Sequence, residues 1–204
     1  MRRSLPLLVP FYLGAAFVGV RGSAHPNTPV AAAADMTIVA RPARARWERR
    51  IERPVRVFIA SGRTIADWRP ELADTVWASF TRWSTQGVPV RFIRVTSASA
   101  ADVAVEWVTS LPGSCIGKTW REDVGTEINT ARITLALHDH RGRILTPDMQ
   151  RGAALHEIGH LLGLEHVGHR DSIMYPQVWV TDISDTDRTL LRDLYGPRSR
   201  ANAD

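Results

Sequence analysis

Three histidines and a glutamate define the chemistry open to this chain. His156, His160 and His166 lie four and then six residues apart, and Glu157 directly follows the first. Residues four apart on a helix share a face, so His156 and His160 can present imidazoles to a single ion. Gly163 stands between the second histidine and the third. Glycine takes a left-handed turn at no steric cost, so the chain can reverse there and return His166 as a third ligand. Three protein ligands leave a fourth tetrahedral position for water, the arrangement of a catalytic rather than a structural zinc site. Three neutral imidazoles leave the metal its full charge, which lowers the pKa of a bound water to about 7. Glu157 is placed to take a proton from that water and pass it to a leaving amine. The chemistry is metal-assisted hydrolysis of an amide, with one catalytic Zn2+ as cofactor.

Two histidines and a glutamate on a helix can also be ordinary packed residues. The wider pattern argues against that. His156 to His166 reads H-E-x-x-H-x-x-G-x-x-H without deviation, and Met174 follows eight residues later, ahead of Tyr175 and Pro176. In these residues the chain resembles the metzincin metallopeptidases. Ser172-Ile173-Met174-Tyr175-Pro176 is similar to the methionine turn of the matrixins within that clan. The resemblance runs from about Val55 to Gly196 and is motif-specific only toward the C-terminus.

The resemblance implies that Met174 forms a hydrophobic base beneath the zinc without ligating it. It implies that Tyr175 and Pro176 lead into the wall of the pocket for the residue after the scissile bond. Gly152, four before His156, falls where the family sets pocket depth, and a glycine there would leave the pocket open. Cys115 to Trp120 falls where the family has an antiparallel edge strand, with Ile116 and Gly117 offering backbone contacts to an extended substrate. A plain loop over the sheet is the alternative for that stretch. The family also docks N-terminal residues against its last helix, which makes Asp187 a candidate partner. The chain departs from the pattern at Val178, where matrixins usually carry tyrosine. No cysteine-switch propeptide is present, and no counterpart of the structural calcium and second-zinc loops, so neither Ca2+ nor a second Zn2+ is expected. His138-Asp139-His140 reads as a solvated turn rather than a metal site. His169 competes with His166 as third ligand but lacks its spacing.

The surrounding elements must hold these groups in place. Val55, Val57 and Ile59 alternate as a first strand. Leu72, Val76, Phe80 and Trp83 fall at helical spacing, and Gln86-Gly87 closes that helix. Val90 and Phe92 begin a second strand, Val103 to Trp107 a third, and Ile133 to Leu137 another. Thr146 can cap the histidine helix, with Pro147 and Asp148 suited to its first turn and Gly163 ending it. Ser184 caps a last helix carrying Asp187, Leu190, Leu191 and Leu194. This order matches the α+β zincin-like catalytic domain the resemblance implies. That domain has a twisted, mostly parallel sheet with an antiparallel edge strand, a long active-site helix and a C-terminal helix after the methionine turn.

The 204 residues, 44% of them hydrophobic, suit one domain and a leader. Arg2 and Arg3 precede an apolar run from Leu5 to Val20, and Gly22-Ser23-Ala24 supplies a cleavage site, so residues 1–24 read as a signal peptide. That run is short of the roughly 20 residues a membrane span needs. The mature protein is expected to be secreted or otherwise extracytoplasmic, with no stable membrane span, and monomeric. Residues 25–53 read as a disordered basic linker or short propeptide, 54–198 as the catalytic domain and 199–204 as a tail. Cys115 is the only cysteine, which excludes an internal disulfide, and it is expected to be an inert apolar residue. Seven arginines crowd residues 37–56 against Glu48 and Glu52. Outside that stretch and the leader, acidic residues slightly outnumber basic ones, so the net charge of +5 marks no nucleic-acid surface. The partners expected are protein or peptide substrates. A zinc-stabilised binding module that has lost or narrowed its proteolysis is the alternative, although Glu157, which zinc binding does not need, is retained.

Overall fold

A computed structural model of the chain describes residues 44–196. The leader, residues 25–43 of the basic stretch and the tail at 199–204 lie outside those described residues. The fold is α+β. Its strands are β1 (Val55–Ile59), β2 (Phe92–Val95), β3 (Val103–Val108), β4 (Gly117–Val124) and β5 (Glu127–Ala136). Its helices are α1 (Pro70–Ser84), α2 (Pro147–Leu161) and α3 (Asp185–Tyr195). The sheet order is β2-β1-β3-β5-β4. All pairings are parallel except β4 with β5, so β4 is an antiparallel edge strand.

The alternation of Val55, Val57 and Ile59 buries one face of β1, and Val103, Val105 and Trp107 do the same for β3. Phe80 and Trp83 of α1 are fully buried, and the Trp83 indole N–H donates to the Leu155 carbonyl of α2 at 2.9 Å. The second strand begins at Phe92 rather than Val90, although Val90 is also buried. β4 and β5 form a longer hairpin than hydrophobic alternation indicates. Their turn-proximal halves carry Arg121, Glu122, Asp123, Thr130 and Arg132, and only Ile128 and Ala131 there are buried. Main-chain pairing, not apolar burial, defines that part of the sheet.

The core reaches further toward the N-terminus than the expected domain start at Pro54. Trp47 is fully buried, and its indole N–H donates to the Leu161 carbonyl at 2.8 Å. The Arg46 guanidinium donates to the Leu194 carbonyl at 2.6 Å, and the Arg46 backbone bridges to Glu127 beside the β4–β5 turn. A tryptophan in a charged stretch buries a large apolar ring once a surface is offered, and the surrounding arginines hid this from a reading by composition.

α2 is held at both ends. Thr146 caps it by accepting from the Met149 N–H, and Pro147 occupies the first turn. Gly163 follows with φ of +98°, and the Leu164 N–H bonds back to the Gly159 carbonyl at 3.0 Å. A side chain at Gly163 would also meet the Ala45 carbonyl, so only glycine serves there. Among the described residues no helix is long and apolar enough to cross a membrane.

Candidate metal centre and active site

The geometry of α2 and its C-terminal turn brings three ring nitrogens together. The Nε2 atoms of His156, His160 and His166 lie 3.1 to 3.2 Å apart in all three pairs. The other ring nitrogen of His156 meets the Ile173 carbonyl at 2.6 Å, and that of His160 meets the Leu164 carbonyl at 2.9 Å. A carbonyl only accepts, so each Nδ1 carries the hydrogen and each Nε2 keeps its lone pair. Burial, with smaller contributions from neighbouring rings, lowers the His156 pKa to about 4, and burial likewise lowers that of His160. Neutral imidazoles with lone pairs converging on one point cannot bond to one another. They suit a cation between them. Three nitrogens at 2.0–2.1 Å from a tetrahedral zinc lie about 3.3–3.4 Å apart, close to the separations found here. This is the one group of three or more potential metal ligands among the described residues. His169 is exposed and stands outside it, so His166 completes the set.

The methionine turn supports the cluster from below. Met174 is fully buried, and its sulfur lies against Gly159, where any side chain would collide with it. Asp187, also fully buried, accepts from the Ile173 N–H at 3.0 Å, the Ser184 N–H at 2.8 Å and the Ser172 hydroxyl. A continuous path thus runs from α3 through Ile173 to the His156 ring. Asp187 thus ties the methionine turn to the start of α3. Arg46 and Trp47 meet α3 at Leu194 and Tyr195.

Glu157 lines the same cleft as the histidines. Burial raises its carboxyl to about 7 against the opposing hydrogen bond from Thr119. The Thr119 hydroxyl lies 2.6 Å from Glu157 Oε2 and 3.0 Å from the Glu157 carbonyl. Gly117, two residues earlier on the same strand face, leaves the carboxylate its space, since a Cβ there would stand 2.6 Å from Glu157 Oε1. The Arg121 guanidinium donates to the His160 carbonyl at 2.6 Å, closing the end of α2. Neither Thr119 nor Arg121 was identified from the sequence. The signal available was the strand period of two, which puts residues 117, 119 and 121 on one face once the strand is placed.

The cleft has a volume of about 500 Å³ and runs between β4 and the segment after Met174. Ile116, Gly117, Pro176 and Val178 line it. Ile116 turns its carbonyl to the Ala136 N–H at 3.0 Å, so its main chain serves the sheet. Alternation along the strand then directs the Gly117 main chain to the open edge. Tyr175 is outside the lining, and its N–H closes a turn onto Ser172. Gly152 does not open the cleft. The Val178 Cγ1 occupies the space, 2.5 Å from where a Gly152 Cβ would stand. Cys115 is exposed at the cleft rather than buried as a small apolar residue. In the His138–His140 turn, the Arg143 and Arg141 N–H groups and the Arg143 guanidinium hold the Asp139 carboxyl down at about 2.

Residues 149–196, which span most of α2, the methionine turn and α3, match the family model for matrixins. The chain carries a matrixin-like catalytic domain. It is also 29% identical over 147 residues to matrix metalloproteinase-26 of Homo sapiens, a match covering 65% of this chain and 54% of that protein. The chain therefore spans about half the length of that relative. The matrixin match takes in His156, Glu157, His160, His166 and Met174, and ends with α3.

Proposed function

We propose that this chain is a secreted, zinc-dependent metalloendopeptidase that cleaves extended protein or peptide substrates. The convergence of three Nε2 lone pairs beside a buried glutamate, in a cleft below an open strand edge, carries this reading. His156, His160 and His166 would hold the zinc. When bound, zinc supplies the Lewis acidity that polarises a carbonyl and acidifies water. Glu157 removes a proton from the attacking water and delivers it to the leaving amine. Its burial keeps competing solvent from the carboxylate. β4 receives the substrate as an added strand through main-chain hydrogen bonds, which are indifferent to side-chain identity. Pro176 and Val178 face the substrate from the opposite wall. Action outside the cytoplasm is supported by the arginine-led apolar run at the N-terminus.

The test is cleavage of an unfolded, fluorescently quenched protein by the full chain. Cleavage should stop with a chelator and return with stoichiometric zinc. Silence from zinc-loaded protein would favour a zinc-stabilised binding module instead.

A further inference from the structure

The two oxygens of the Glu157 carboxylate are in different circumstances. Oε2 lies 2.6 Å from the Thr119 hydroxyl, within the range of a charge-assisted O–H···O⁻ bond. Oε1 lies over Gly117, which lines the cleft with Glu157, and a Cβ at residue 117 would fill the space beside it. A threonine hydroxyl has a single hydrogen, so Thr119 cannot donate to both the carboxylate and the Glu157 carbonyl at once. The shorter contact is the one to the carboxyl oxygen.

Thr119 is well suited to hold an atom still. Its side chain is β-branched and stiff about χ1. Its strand is paired to β5 from Gly117 to Val124, with the one irregularity between Glu122 and Asp123, beyond Thr119. The hydroxyl is thus fixed by the sheet, while the glutamate is fixed by the helix.

We propose that Thr119 is a positioning residue for Glu157, binding Oε2 so that Oε1 alone exchanges the proton. This rests on the reading of Glu157 as general base. A donor at Oε2 fills one of its two lone-pair sites and fixes the carboxylate, so that Oε1 is the oxygen held beside Gly117 to exchange the proton. Oε1 accepts the hydrogen of the attacking water as the water oxygen bonds to the carbonyl carbon. The same hydrogen then goes to the amine nitrogen as the carbon–nitrogen bond breaks. Gly117 and Thr119 act together, one leaving Oε1 its working space and the other fixing Oε2.

Thr119→Val keeps the shape of the side chain and removes the donor, whereas Thr119→Ser restores a hydroxyl. In the full chain, the valine variant should lose about tenfold or more in kcat with KM changed less than about twofold. Its zinc affinity and melting temperature should stay near those of the parent, and the serine variant should recover most of kcat. Crystal structures of both variants supply a readout that needs no activity. The Glu157 carboxylate should leave its position in the valine variant and keep it in the serine variant. A kcat within about twofold of the parent for Thr119→Val, or an unmoved carboxylate, would overturn the proposal. So would a serine variant no better than valine with the fold intact. A parent that binds zinc but cleaves nothing would refute the peptidase reading, and the carboxylate positions would still decide the role of Thr119.

Discussion

Gly117 lies so close to Glu157 that the smallest side chain has consequences. A Cβ 2.6 Å from both Cγ and Oε1 requires one of the two to move, and β4 is fixed by its pairing. Gly117→Ala should therefore lower kcat by about tenfold or more, because a small misplacement of a catalytic group is costly. Zinc content, measured by metal analysis, should be unchanged, since the atoms nearest that position all belong to Glu157 and not to a histidine. The ligand set separates in the opposite way. His166→Ala should weaken zinc by more than about 100-fold in chelator competition, as even the partners that orient ligands are worth about 10–100-fold. His169→Ala should leave zinc affinity as it was. Equal effects at the two histidines would contradict the assignment of His166.

At the level of elements, the end of α2 is closed by side chains from three other places. Arg121 takes the His160 carbonyl, Trp47 that of Leu161 and Tyr195 that of Leu162. Helix ends leave carbonyls without partners, and these three lie immediately before the turn that returns His166. Trp47→Ala should cost about 3–5 kcal/mol in denaturant unfolding, as a buried aromatic truncation does. Asp187→Ala leaves the Ile173 and Ser184 N–H groups and the Ser172 hydroxyl without their acceptor, and should cost roughly 3 kcal/mol. It should also weaken zinc by about tenfold, because Ile173 orients His156. Both helix caps around the site were legible, since Thr146 and Ser184 use side-chain chemistry that the sequence states directly. The polar half of the β4–β5 hairpin was not, because its residues bury little and only pairing reveals them. Trp47 was missed for a related reason: what buries it comes from residues more than a hundred positions away.

For the whole molecule, charge matters through pairing rather than through the net value. Asp102 is buried, which opposes ionisation, but hydrogen bonds from Arg56 and the charges of Arg50 and Arg56 outweigh this and lower its pKa. A carboxyl whose folded pKa is depressed stabilises the fold above its unfolded pKa, near 4, and loses that contribution as pH falls through the folded value. Asp139, held at about 2, behaves in the same direction. Asp102→Asn should thus melt below the parent at pH 7, and the gap should narrow as the pH falls below about 4. A gap that widens in acid would contradict the pairing. The convergence of the three histidines, the place of Glu157 in the same cleft and the buried Met174 were readable because they depend on fixed spacing along one helix and one turn. The cleft walls were less so, since Val178 filling the space over Gly152 is a contact between distant segments. The most direct test of the account compares the full chain with Glu157→Ala, both loaded with zinc, on an unfolded quenched protein. The account predicts one zinc per chain in each and cleavage by the parent alone. A variant that binds zinc and stays within a few-fold of the parent rate would contradict it.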